Sequence, residues 1–199
     1  MRTTKILLGT RNPGKIEEAK SILQANVPDL EILTREEVPF AVVEEDGCSY
    51  VENSLKKARE ISQETGFSVL SDDSGLEVRA LDGAPGVHSS RFSGPDADDE
   101  SNIRLLLKKL DGRDDRGARF VTVATLYTNS GKRFRTRGML EGKITTTPRG
   151  DSGFGYDPVF VPDGFKKTLA QLGKEKKNEI SHRRKALEKM RKIVVKLFN

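Results

Sequence analysis

The sequence predicts an α/β fold built on a mixed β-sheet, and two observations carry that expectation. In the first half, short apolar runs alternate with stretches whose apolar residues recur at helical spacing. In the middle, two β-rich runs flank Asn129-Ser130-Gly131 in the manner of a hairpin. A chain of 199 residues is long enough to bury a sizeable core as a single domain, residues 1–199, with room for two lobes.

The first strand is Lys5-Ile6-Leu7-Leu8. Asn12 follows as a helix N-cap and Pro13 suits the first helical position, so Ile16, Ala19, Ile22 and Leu23 continue as a helix. Free backbone N–H groups at such a terminus attract phosphate, and Lys15 adds a positive charge in the first turn. Gly9, Gly14 and Lys15 also match the P-loop pattern, but Ile16 stands where that pattern needs a hydroxyl for magnesium. A P-loop phosphohydrolase is thereby the alternative reading.

Residues 29–43 read as one or two strands, ending in the acidic loop Glu44-Glu45-Asp46-Gly47. Tyr50, Val51, Leu55, Ala58 and Ile61 trace the next helix, with Glu52, Lys56, Lys57 and Arg59 on its other side and Gly66 closing it. Phe67 to Leu70 is a short strand. Ser71-Asp72-Asp73-Ser74-Gly75-Leu76 then reads as a shaped loop at its carboxyl end, where ligands of open α/β sheets collect. Five of the 18 glycines fall between Gly66 and Gly94, which fits a loop that approaches a ligand closely. If strand geometry persists, Asp72 and Asp73 point to opposite sides, one orienting the segment and the other facing a cleft. Magnesium prefers a few carboxylate oxygens plus waters and phosphates, and Glu44 or Glu45 would supply one if folded near Asp73.

Ile103, Leu106, Leu107 and Leu110 mark a further helix, with acidic residues 96–100 at its N-terminus. The hairpin strands are residues 120–127 and 132–140. Residues 149–160 form a glycine-rich segment whose backbone donors and aromatics suit a flat ring. Ile180, Leu187, Met190, Val194 and Leu197 define a terminal helix, with Ser181 as its cap and His182 and Arg183 in the first turn.

Composition narrows the class. The lone Cys48 excludes an intramolecular disulfide and a Cys-cluster zinc site, in keeping with a reducing compartment. No run of 18 apolar residues occurs, so a soluble cytoplasmic protein without a membrane partner is expected. Of the formal charge of +5, residues 164–199 hold twelve Lys/Arg against three Asp/Glu, leaving 23 against 27 in the remainder. This basic tail lacks the interleaved aromatics of single-strand binders, so an RNA-binding module is a minority reading and no nucleic-acid partner is expected.

Five segments in order over nearly the whole chain resemble one family: 10–15, 71–76, 83–86 with Ser90 and Arg91, 154–157 and 181–183. The resemblance is to the Ham1-like inosine/xanthosine triphosphate pyrophosphatases. It implies a long mixed sheet flanked by helices, two lobes with the active-site cleft between them, a homodimer, a Mg2+ cofactor and a purine nucleoside triphosphate as substrate. It implies hydrolysis of ITP, dITP and XTP to the monophosphate and pyrophosphate. It places phosphate contacts on Thr10, Arg11, Asn12, Pro13, Gly14 and Lys15, with Lys177 as a second phosphate lysine and Ser74 as an adjoining substrate contact. Asp73 is implied as proton acceptor and metal ligand, with Glu44 as the second ligand and Glu45 leaving that choice open. Phe154, Gly155, Tyr156 and Asp157, with His182 and Arg183, are implied to surround the base. Gln171 stands where relatives often have an acidic residue.

Overall fold

The computed structural model describes residues 4–24 and 30–198. Six strands form one sheet in the order β2-β1-β3-β4-β5-β6, where β1 is Thr4–Leu8, β2 Leu30–Leu33, β3 Ser68–Val78, β4 Gly117–Tyr127, β5 Arg133–Ile144 and β6 Phe160–Pro162. β1 pairs in parallel with β2 and β3, and β5 pairs antiparallel with β6, so the sheet is mixed as expected. The helices are α1 (Pro13–Leu23), α2 (Tyr50–Thr65), α3 (Asp99–Lys109), α4 (Leu169–Ile180) and α5 (His182–Phe198). None of the helices described is long and apolar enough to cross a membrane.

The chain divides into two compact units, and the division falls inside the three long strands β3, β4 and β5. Unit 1 comprises Met1–Asp73, Thr122–Gly138 and Arg183–Asn199. Its strands bury both faces, as parallel strands do when helices cover each side. Ile6, Leu8 and Leu70 share one apolar cluster with Ala19, Ile22 and Leu23 of α1 and Leu187, Met190 and Val194 of α5. Leu7 and Val69, one position along, join Ala58 and Ile61 of α2 in another. Unit 2 comprises Ser74–Val121 and Met139–His182, and gathers Leu76, Val78, Leu106, Phe120, Ile144, Phe160 and Leu169 into its own core.

Helix boundaries follow local chemistry. Asn12 caps α1 through the Lys15 N–H, Ser49 caps α2, and Gly66 closes α2 in the left-handed region at φ 75°, where a side chain would be strained. Asp98 and Ser101 form a reciprocal capping box at α3. Thr168 and Gln171 do the same at α4, so the glutamine serves there as an acidic residue would.

Three expectations change. Residues 71–76 are not a loop: β3 runs straight through them for eleven residues. Ser, Asp and Gly favour turns only while their side chains find local partners. Here Ser71, Asp72 and Asp73 are buried and bonded by neighbouring helices, which outweighs local preference. Second, the basic stretch before Ile180 contains α4, kinked at Gly173, which the apolar spacing does not announce; Ser181 ends α4, and the terminal helix begins at His182. Third, of the expected strands in 29–43 the described residues contain β2, and Asp29 lies outside them.

Candidate active site

The turn after β1 assembles as its residue types dictate. The Asn12 side chain accepts the Lys15 N–H at 3.1 Å, and the Thr10 hydroxyl oxygen accepts the Asn12 N–H at 3.3 Å. Pro13 occupies the first turn, while Arg11, Asn12 and Pro13 are exposed and Thr10, Gly14 and Lys15 half-buried. Ile16, where a P-loop would carry its hydroxyl, packs against the unit 1 core instead. The terminus therefore offers backbone donors and an ammonium, without a P-loop's metal ligand.

On β3 the two adjacent carboxylates do turn to different partners, as alternation requires. Asp72 receives Lys15 Nζ at 3.0 Å from α1 and Arg183 Nε at 3.4 Å from α5. Asp73 accepts a hydrogen bond of 3.0 Å from Asn53 of α2. Burial pushes the Asp73 carboxyl up to about 6; Lys57, Asn53 and Lys15 oppose that rise and Glu45 reinforces it.

Of the two glutamates left open, Glu45 belongs to this neighbourhood. It is half-buried, pairs with Lys57 at 3.0 Å and acts electrostatically on Asp73, whereas Glu44 is exposed. Lys57 itself was expected on the outer side of its helix. It is buried, and donates to the Asp72 carbonyl at 2.8 Å as well as pairing with Glu45. A signal for it existed: Asn53 and Lys57 lie four apart on the same stripe as Tyr50, Ser54, Ala58 and Ile61, the buried face of α2.

Unit 2 holds a second cluster. Lys177 is buried, bonds Asp157 at 2.6 Å, and lies 4.0 Å from the Phe154 ring centroid. The same Asp157 oxygen accepts the Phe154 N–H at 3.0 Å. Gly153 makes this closeness possible: at φ 87° it is left-handed, and a Cβ there would meet Asp157 Oδ2 at 2.2 Å. Gly155 donates its N–H to Asp99 at 2.6 Å, and the Tyr156 hydroxyl donates to the Ser89 carbonyl at 2.8 Å. His182 stacks on Phe120 with centroids 4.7 Å apart and planes 10° from parallel. Ser74 is half-buried where β3 enters this unit. Because Tyr156 is buried and its hydroxyl bonded, Tyr156→Phe is expected to cost about 1 kcal/mol. Urea unfolding of the two proteins checks this, and an unchanged midpoint would mean that the bond contributes nothing net.

Of the residues implied around the base, Phe154, Gly155, Tyr156, Asp157 and His182 belong to unit 2, as does the implied phosphate lysine Lys177, and Arg183 belongs to unit 1. The Arg183 guanidinium is buried and bonds Glu18 at 2.5 Å as well as Asp72, so its described partners are carboxylates of the framework.

The class of the molecule is α/β on a mixed sheet, with the Lys15 helix terminus and the buried Asp73 in one unit. The Ham1 family sequence profile matches residues 6–193, and the chain belongs to that family. It is 44% identical to the dITP/XTP pyrophosphatase of Exiguobacterium sp., over 96% of this chain and 97% of that relative. It is 47% identical to the dITP/XTP pyrophosphatase of Elusimicrobium minutum, over 96% and 99%. The Staphylococcus aureus Ham1 protein superposes with a TM-score of 0.88 at 37% identity, covering 98% of this chain and 100% of that one. The Mycobacterium abscessus nucleoside-triphosphatase / dITP/XTP pyrophosphatase superposes with a TM-score of 0.77 at 42% identity, covering 94% and 97%.

Proposed function

We propose that this chain hydrolyses deaminated purine nucleoside triphosphates, dITP, XTP and ITP, to the monophosphate and pyrophosphate. The observation that carries the reading is Asp73, a buried carboxylate raised to about 6 in the same unit as the Lys15 helix terminus. The near full-length relatives named dITP/XTP pyrophosphatase support the substrate class.

A divalent cation fits the donors present. Among the described residues no three His, Cys, Asp or Glu side chains gather as a closed metal cage. Magnesium needs no such cage, because waters and substrate phosphates complete its shell around one or two carboxylates. Asp73 and Glu45 are two carboxylates whose mutual repulsion a cation would relieve. In this reading they hold Mg2+, which when bound supplies positive charge to the reacting phosphate.

The chain's own groups do the rest. Asp73 orients the attacking water and takes its proton, held in place by Asn53. Lys57 places its ammonium beside Glu45 and Asp72, and Lys15 presents its charge with the backbone donors of α1 to the phosphates. The same reading carries a homodimer and a cytoplasmic location.

A turnover panel of dITP, XTP, ITP, GTP and ATP with product identification tests the proposal. Pyrophosphate release from the deaminated nucleotides is expected, and orthophosphate release, which reports attack at the γ-phosphate, would sink it. The metal assignment has its own check: Glu45→Gln is expected to cost about tenfold or more in activity at limiting magnesium, Glu44→Gln little, a difference of ligand strength typical of a lost carboxylate contact. The reverse order would return the role to Glu44.

A further inference from the structure

Glu18 lies one turn beyond Lys15 on α1 and is buried, although nothing in the proposed reaction uses it. Among the described residues it stands in a hydrogen-bonded sequence of alternating charge: Glu18 to Arg183 at 2.5 Å, Arg183 to Asp72 at 3.4 Å, Asp72 to Lys15 at 3.0 Å. Two cations therefore share Asp72, and one of them has a second carboxylate of its own. The groups that act on Lys15 are Asp72 and Asp73 on β3, Lys57 on α2, Arg183 on α5 and, through Arg183, Glu18 on α1.

We propose that Glu18 is a positioning residue of the phosphate site: by taking up the charge of Arg183, it leaves the carboxylate of Asp72 to Lys15. The proposal rests on the reading above, in which Lys15 meets the phosphates. The physical argument is a competition for one carboxylate. Without the Glu18 charge, a buried guanidinium and a half-buried ammonium contest Asp72, and the guanidinium cannot yield by losing its proton, whereas an ammonium can. Lys15 is the group that gives way. It already stands below the ordinary lysine value because of burial, with Lys57 and Arg183 pushing the same way and Asp72 holding it up. Glu18 thus keeps the phosphate lysine charged without touching the substrate.

The test uses the full chain with magnesium and compares wild type, Glu18→Gln and the Glu18→Gln/Arg183→Gln double variant. Binding of inorganic pyrophosphate by calorimetry and kcat and KM for dITP are measured as a function of pH, from about pH 6.5 to about pH 9.5, spanning the side of the ordinary lysine value towards which burial moves Lys15. In Glu18→Gln, pyrophosphate binding and KM match wild type at the acid end and are about tenfold weaker at the alkaline end, one unit of lysine titration, with kcat little changed. In the double variant Asp72 is left to Lys15, so the alkaline limb returns to its wild-type position whatever becomes of kcat.

A loss that is equal at every pH, a loss confined to kcat, or no loss overturns the proposal, since a structural carboxylate would not move the pH profile. Should Glu18→Gln fail to fold, the double variant decides alone, because an alkaline limb lowered in that protein contradicts the competition. Wild type that binds pyrophosphate but hydrolyses none of the nucleotides rejects the proposed function and leaves this inference to the calorimetry. Wild type that binds no pyrophosphate overturns both.

Discussion

Asp73→Asn is expected to lower dITP turnover by about 10²- to 10⁴-fold, the usual contribution of a positioned general base, while raising the melting temperature in EDTA at pH 8. The isosteric amide keeps the space but can neither take a proton nor hold a cation as a carboxylate does. The stability gain follows from linkage. Burial, reinforced by Glu45, raises the folded carboxyl from 3.8 to about 6. The native state therefore binds the proton more tightly than the unfolded chain does, and the stability this contributes is lost as pH rises through 6. At pH 8 the wild type carries a buried charge at a cost of about 2–3 kcal/mol, taking 1.36 kcal/mol per unit, and the asparagine variant does not. The gain must shrink as pH falls from 6 towards 4. Melting curves at pH 8, 6 and 4.5 check the sign, and a variant less stable than wild type at pH 8 would show that the ionised carboxylate is stabilising where it stands.

Arg183→Ala is expected to destabilise the protein by about 3–5 kcal/mol, the cost of breaking a buried charge pair. The substitution leaves Glu18 and Asp72 buried without the guanidinium that bonds both. Equilibrium urea unfolding measures it. The resemblance instead assigns Arg183 to reading the base, which predicts a narrowed ratio of kcat/KM between ITP and ATP in a protein of ordinary stability. A small stability change together with a narrowed ratio would restore that assignment.

Much of the scaffold is readable from local chemistry. Asn12-Pro13 starts α1, Gly66 stops α2, and Asn129-Ser130-Gly131 sits in the turn between β4 and β5, because caps and turns depend on residues a few positions apart. What stayed hidden depends on distant partners. Ser71, Asp72 and Asp73 look like turn residues until Ser54, Asn53, Lys15 and Arg183 bond them into a strand. Lys57 looks like a solvent-facing lysine because charge, read alone, outranks its place on the inner stripe of α2. That Glu45 pairs with Lys57 is hidden in the same way, since adjacency in the chain carries no such information.

The passage of β3 through Asp72 and Asp73 makes this segment intolerant of a change in length. Parity along a strand decides which helix each carboxylate meets: even positions face Lys15 and Arg183, odd positions face Asn53. Losing one residue between Leu70 and Asp72 would exchange the two, presenting Asp72 to α2 and Asp73 to the buried arginine, with both carboxylates still present. Conservative substitutions here cost a contact, whereas a single-residue deletion or insertion inverts the wiring of the whole site.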